Sequence, residues 1–168
     1  NDGACAMVVT TQERAKDLKH RPTKIMAAAQ SLGSNPMSTW EMASFKPNML
    51  ESEAKEMAPR LFKMADLTPA DVDVAQIYDC FTYTQLTLIE DYGFCEKGEG
   101  GAFVQDGRIE IGGELPINTH GGHLGEAYIH GFTHIIEGVK QMRGTSTCQV
   151  EGAETTLVAS AVPGPTSG

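Results

Sequence analysis

Four of the five histidines fall within 15 residues, in the segment Asn118-Thr119-His120-Gly121-Gly122-His123-Leu124-Gly125-Glu126-Ala127-Tyr128-Ile129-His130-Gly131-Phe132-Thr133-His134. Imidazoles at this density suit proton transfer or metal binding. On a helix, His130 and His134 stand one turn apart with Glu126 one turn further back, a geometry able to hold a divalent ion. The usual third-ligand pattern is not evident, so the reading kept is polar or packing histidines with no metal. The glycines opening the segment also suit a helix entrance whose free N–H groups hold an anion or a developing oxyanion.

Tyr78 and Tyr128 form a second group, each at a loop-to-helix boundary and each near a carboxylate, Asp79 and Glu126 respectively. A phenol can act as acid or base, but an ordinary pKa of about 10 makes phenolate scarce at neutral pH. Such a role needs an activating hydrogen bond or a nearby positive charge. The same residues also read as half-buried rings anchored by their hydroxyls. Other catalytic patterns fail: Gly144-Thr145-Ser146-Thr147-Cys148 lacks the last glycine of a nucleophile elbow, and no Gly-Lys-Ser/Thr phosphate loop occurs.

The elements that must hold these groups follow from periodicity. Ala4–Val9 is an apolar run read as a buried strand, followed by a short helix over Thr11–Leu18 and a strand around Thr23–Ala29. Ser31–Ser38 is a loop. Leu50, Ala54, Met57, Leu61 and Ala65, widened by Phe62, form a helical stripe that Pro59 is expected to kink or divide. Thr68-Pro69-Ala70-Asp71 carries an N-cap with proline in the first turn.

Val72–Tyr78 reads as a buried strand and Tyr83, Leu86, Ile89 and Glu90 as a helix ending near Gly93, so Tyr78-Asp79-Cys80-Phe81-Thr82 is a strand-to-helix junction where α/β folds hold ligands. Gly98–Gly122 is a long glycine-rich loop with a hairpin at Ile109 and Ile111. Ile129, Phe132, Ile135, Ile136, Val139 and Met142 give an amphipathic helix, Thr155–Ser160 a closing strand, and Pro163-Gly164-Pro165 a terminal turn. Together they predict an α/β fold with a mixed sheet covered by helices.

Composition narrows the function classes. Thirteen Lys and Arg against 22 Asp and Glu give a net charge of −9 and a pI near 4.9. With no basic cluster, nucleic-acid binding is not expected, and an anionic ligand needs cations from elsewhere. No apolar run approaches membrane-spanning length. The widely spaced Cys5, Cys80, Cys95 and Cys148 argue for reduced core thiols in a cytoplasmic setting, against a disulfide framework or zinc knuckle.

At these residues the sequence resembles the C-terminal half of a thiolase, close to the sterol carrier group of thiolase-like lipid-transfer proteins. Asn1-Asp2-Gly3-Ala4 is similar to the stretch before the last strand of the thiolase N-terminal half. The resemblance therefore implies that residues 1–19 end that half, that 20–168 form the C-terminal domain, and that preceding sequence supplies the rest of a layered αβαβα fold. Tyr78-Asp79-Cys80-Phe81 resembles the family's His-Asp-Cys-Phe junction. Gly121-Gly122 and Ala127-Tyr128-Ile129-His130-Gly131 resemble its Gly-Gly and Gly-His-Pro-Leu-Gly block. Both family histidine positions are thus tyrosine, and the acid/base Cys-x-Gly loop is not reproduced by Cys148-Gln149-Val150-Glu151-Gly152.

That double substitution resembles the thiolase-like aldolases of bacterial steroid side-chain degradation. It implies retro-aldol cleavage of a β-hydroxyacyl-CoA with Tyr78 and Tyr128 as the acid/base pair. His123 or His120, with Gly122 and Asp79, would contact the substrate, a CoA thioester, with no further cofactor. The implied partners are a second copy, through the thiolase core, and an OB-fold, zinc-ribbon-type domain of a hydratase subunit. The missing half is expected to bring cations for the CoA phosphates. Two alternatives stay open: a thiolase or acetyl-CoA acyltransferase, and a non-catalytic lipid-carrying subunit.

Overall fold

The computed structural model describes residues 2–31, 50–161 and 166–167. Its strands are β1 (Gln30–Ser31), β2 (Val74–Ile77), β3 (Thr156–Ala161) and β4 (Thr166–Ser167). Its helices are α1 (Gln12–Ala15), α2 (Ala54–Ala65), α3 (Thr82–Asp91), α4 (Gly100–Phe103), α5 (Gly122–Gly125) and α6 (Phe132–Arg143). The sheet order is β1-β4-β3-β2, with β2 and β3 parallel and the other pairs antiparallel, which makes the sheet mixed as expected.

All four residues of β2 are buried, including the amide of Gln76, so the strand needs cover on both faces. The α6 helix packs on β2 and β3, while α3 also contacts both strands and packs against α2 and α4. The free edge of β2 is covered by residues 116–118. Ala75 N–H donates to the Pro116 carbonyl at 3.0 Å, and Asn118 N–H to the Ala75 carbonyl at 2.9 Å. The Asn118 side chain then imitates a peptide: Oδ1 accepts from Ile77 N–H at 2.7 Å, and Nδ2 donates to the Ile77 carbonyl at 2.8 Å.

Pro59 lies inside α2 without dividing it. The carbonyl that loses its donor belongs to Lys55, and both residues lie on the exposed side of the helix. Met57, Ala58, Leu61 and Phe62 form the buried face, whereas Leu50 lies outside the helix and is exposed. Asp66, at φ 58°, closes it, with Leu67 N–H bonded to the Phe62 carbonyl at 3.0 Å. Thr68 and Asp71 close a single 3-10 turn at Pro69–Asp71: the Thr68 N–H and hydroxyl both donate to Asp71 Oδ2, at 2.7 and 2.6 Å.

Several sequence expectations are corrected. Ala4–Val9 is not a strand, and Val8 and Val9 are largely exposed; no described segment pairs with them, and apolar composition alone does not make a strand. Residues 23–29 run without regular structure, pairing beginning only at Gln30. The hairpin at Ile109 and Ile111 is a series of turns; Ile109 accepts from Ile117 N–H, and the bridge to the sheet is Ala75 with Ile117. Residues 32–38 of the Ser31–Ser38 loop, and Pro163-Gly164-Pro165, lie outside the described residues. All four cysteines are free and partly buried. Among the described residues no helix is long and apolar enough to cross a membrane.

The α6 helix forms where expected and turns its polar face to the sheet. Its buried residues are His134, Glu137, Gly138 and Gln141, while Ile135, Ile136, Val139 and Met142 are half-buried and Phe132 is exposed. Gly138 explains the close seating: a Cβ there would stand 3.0 Å from Val158 Cγ2 and 3.4 Å from Thr156 Cγ2. We expect Gly138→Val to lower the stability of the full-length protein by about 1–3 kcal/mol through overpacking, measured by denaturant unfolding. An unchanged midpoint would contradict this contact.

Candidate active site

Strand β2 delivers Tyr78 as it ends, with Tyr78 N–H donating to the Ala159 carbonyl at 2.9 Å. The ring is buried, and its hydroxyl meets the hydroxyl of Tyr128, which comes from the stretch between α5 and α6. The two rings lie edge to face with centroids 6.2 Å apart. The structure therefore brings together two residues 50 positions apart in the chain. Burial, then the hydrogen bond with the Tyr128 hydroxyl, pushes the Tyr78 pKa well above its ordinary value.

Asp79 follows immediately, but its carboxylate turns inward. Oδ1 accepts from His123 N–H at 2.8 Å, Oδ2 from Leu124 N–H at 3.4 Å, and His134 Nε2 stands 3.4 Å from Oδ1. Burial opposes ionisation, yet the His134 ring and these backbone donors hold the carboxyl below its ordinary range. Both oxygens are occupied, so this geometry makes Asp79 the anchor of α5. Gly122 serves the same packing: its φ is 65°, and a Cβ there would collide with the Asp79 carboxylate.

His123 sits in the middle of the ring cluster. It stacks on His134 at 4.3 Å, tilts against Tyr128 at 4.4 Å and meets Tyr78 edge-on at 4.8 Å. Neither of its ring nitrogens has a hydrogen-bond partner although the side chain is only 5% exposed. Burial, then the neighbouring His134, pushes its pKa down to about 4. It is therefore neutral at physiological pH, with one N–H to give and one lone pair to receive. His120 lies one layer deeper, Nδ1 3.1 Å from Gln76 Oε1 and Nε2 3.1 Å from His134 Nδ1.

The metal geometry read from Glu126, His130 and His134 does not form. The α6 helix begins at Phe132, and Glu126 and His130 lie outside it and are exposed, His130 with φ 44°. Asp79, His123 and His134 instead offer donor atoms within 4.8 Å of one another. Asp79 and His134 already spend theirs on hydrogen bonds, which leaves the cluster a hydrogen-bonded one with His123 alone holding free nitrogens.

The sequence reading missed the buried polar layer beneath: Gln76, Thr119, Glu137 and Gln141, and the central place of His134. Two signals were available. Gln76 is an amide inside an apolar strand, and His134, Glu137 and Gln141 recur at spacings of three and four, a polar stripe with helical period.

Residues 36–164 match the family described as thiolase C-terminal domain-like. The chain belongs to this family. The thiolase-type α/β fold expected from the sequence is thereby established. The chain is 50% identical to the 17-hydroxy-3-oxo-4-pregnene-20-carboxyl-CoA lyase of Mycobacterium tuberculosis, over 99% of its own length and 43% of the relative's. It is 42% identical to the steroid side-chain-cleaving aldolase of Thermomonospora curvata, over 100% of its length and 43% of the relative's. A solved Ltp2-ChsH2(DUF35) aldolase superposes with a TM-score of 0.86 at 41% identity, over 93% of this chain and 41% of that one. The chain thus spans less than half the length of these relatives.

The depressed His123 pKa makes a pH prediction. The unfolded ring takes up a proton near 6.5 and the folded ring only near 4, so this contribution to stability is complete above about pH 6.5 and is lost as pH falls towards 4. His123→Phe should flatten that fall in acid unfolding of the full-length protein. The same slope in the variant would contradict a neutral, buried His123.

Proposed function

We propose that this domain carries the acid/base half of an aldolase that cleaves a β-hydroxyacyl-CoA of steroid type. The observation that carries the reading is the hydroxyl-to-hydroxyl contact of Tyr78 and Tyr128, both at positions where the resembling thiolases hold histidine. In a 17-hydroxy steroid bearing a 20-carboxyl-CoA thioester, the hydroxyl is β to the thioester carbonyl. Tyr128, as phenolate, takes the proton of that hydroxyl. The Cα–Cβ bond then breaks, giving a 17-ketone and the enolate of a short acyl-CoA, and a phenol returns a proton to Cα. No covalent acyl-enzyme and no further cofactor is required.

Tyr128 is assigned as the base because it is the less buried of the two and Tyr78 retains its proton. His123 is assigned to the thioester oxygen: its ring nitrogens lack hydrogen-bond partners beside the tyrosine pair, and an enolate accepts from its N–H more strongly than the ground-state carbonyl. Gly122 lets this turn approach closely. His120 stands behind His134 and acts through it rather than on the substrate.

The full protein is proposed to include an N-terminal half that contributes cations for the CoA phosphates, to dimerise through the thiolase core, and to work with an OB-fold, zinc-ribbon-type partner domain. The two-component name of the structural relative supports a heterocomplex. The net charge of −9 supports a source of cations outside this chain.

The test is mass-spectrometric product analysis of the full-length protein, with any co-encoded partner, on such a thioester. We expect a ketone and a short acyl-CoA, with cleavage slowed at least about 100-fold in Tyr128→Phe and Tyr78→Phe. CoA-dependent acyl exchange without cleavage, or near-normal cleavage by both variants, would overturn the assignment.

A further inference from the structure

Protons can be counted along the buried polar face of α6. Gln141 Oε1 accepts from Val150 N–H at 2.9 Å, which turns Nε2 towards Thr119 Oγ1, Glu137 Oε1 and the Cys148 carbonyl. Glu137 is buried, yet hydrogen bonds from Ser146, Thr119 and Gln141 hold it ionised, so it only accepts. Thr119 Oγ1 lies 2.7 Å from Glu137 Oε1 and spends its single proton there. Its remaining lone pair receives Gln76 Nε2 at 3.1 Å. Gln76 therefore presents Oε1 to His120, and His120 Nδ1, 3.1 Å away, must be an N–H.

At the other end, His134 Nε2 faces only oxygens, the Ile77 carbonyl at 3.1 Å and Asp79 Oδ1 at 3.4 Å, so it too must be an N–H. Between the rings, His120 Nε2 and His134 Nδ1 are 3.1 Å apart and need one proton to share. That makes three N–H groups on two imidazoles, one more than two neutral rings possess.

We propose that His134 is a buried imidazolium paired with Asp79, and that it is a positioning residue for the tyrosine pair. The charge rests on His134 because this ring faces the carboxylate, whereas burial and His134 itself disfavour a second charge on His120. The groups around it are Asp79 and Tyr78 from the end of β2, and His120 and His123 from the turn. Behind these, Glu126 stands 3.7 Å from His120, Glu137 is reached through Thr119, and Tyr128 and His130 lie beyond His123.

Asp79 must stay ionised to anchor α5. Without a cation at His134, that bare carboxylate would stand beside Tyr78 and oppose phenolate formation; with it, the pair is close to neutral. The catalytic consequence rests on the aldolase reading. The proton count does not.

The test has two parts. Neutron diffraction from crystals of the full-length protein at neutral pH should show deuterium on both nitrogens of His134 and on Nδ1 of His120; a single deuterium on His134 overturns the charge. In the pH profile of kcat for cleavage, His134→Gln should move the acidic limb up by about one unit, about tenfold slower at pH 7 and recovering at high pH. An unshifted limb with uniformly lower kcat overturns the positioning role. If no β-hydroxyacyl-CoA is cleaved by the unmodified protein, the aldolase reading falls, and the neutron count alone decides the charge.

Discussion

The Asp79 carboxylate is the interaction from which the site hangs. It leaves β2 one residue after Tyr78, turns inward, and captures two successive backbone N–H groups of α5. An ionised carboxylate taken out of water is costly unless its lone pairs are filled, and here they are filled by those amides and the His134 ring. Because α5 is fixed, His123 is fixed, and the stretch that follows brings Tyr128 over Tyr78. A single buried charge thus converts a strand end and a glycine-rich turn into a defined pair of phenols.

The support beneath is of the same kind. Gln76, Thr119, Glu137 and Gln141 form a polar layer between β2 and α6 in which amide orientations are dictated by the backbone N–H of Val150. Networks of this sort are rigid when every member is satisfied. Gly138 is what permits it, by seating α6 close enough for short side chains to reach the strand.

Much of this was legible in the sequence. The strand before Tyr78 and the helices around Met57 and Ile89 follow from periodicity, and the pairing of Tyr78 with Tyr128 was what the resemblance to thiolases implied. What was not legible depended on partners distant in the chain. The apolar stripe of α6 located the helix but did not show which face meets the sheet: that face is the polar one, and polar residues read as solvated until their partners are known. The apolar run Ala4–Val9 failed for the related reason that pairing, not composition, makes a strand. The inward turn of Asp79 had no sequence signal of its own: an acidic residue at a strand end reads equally as a ligand contact and as an anchor.

Asn118 carries a consequence for solubility during assembly. By presenting its amide to Ile77 as a neighbouring strand would, it fills the hydrogen-bonding positions at the end of β2 that would otherwise be open along that edge. A side chain can fill such positions but cannot propagate them, since the next residue along has no ladder to extend. The most apolar strand of the domain, and the one that carries Tyr78, is in this way closed to pairing with a second polypeptide at that end. The strand end that delivers Tyr78 thus has its edge sealed beside the tyrosine pair without a further strand to crowd it.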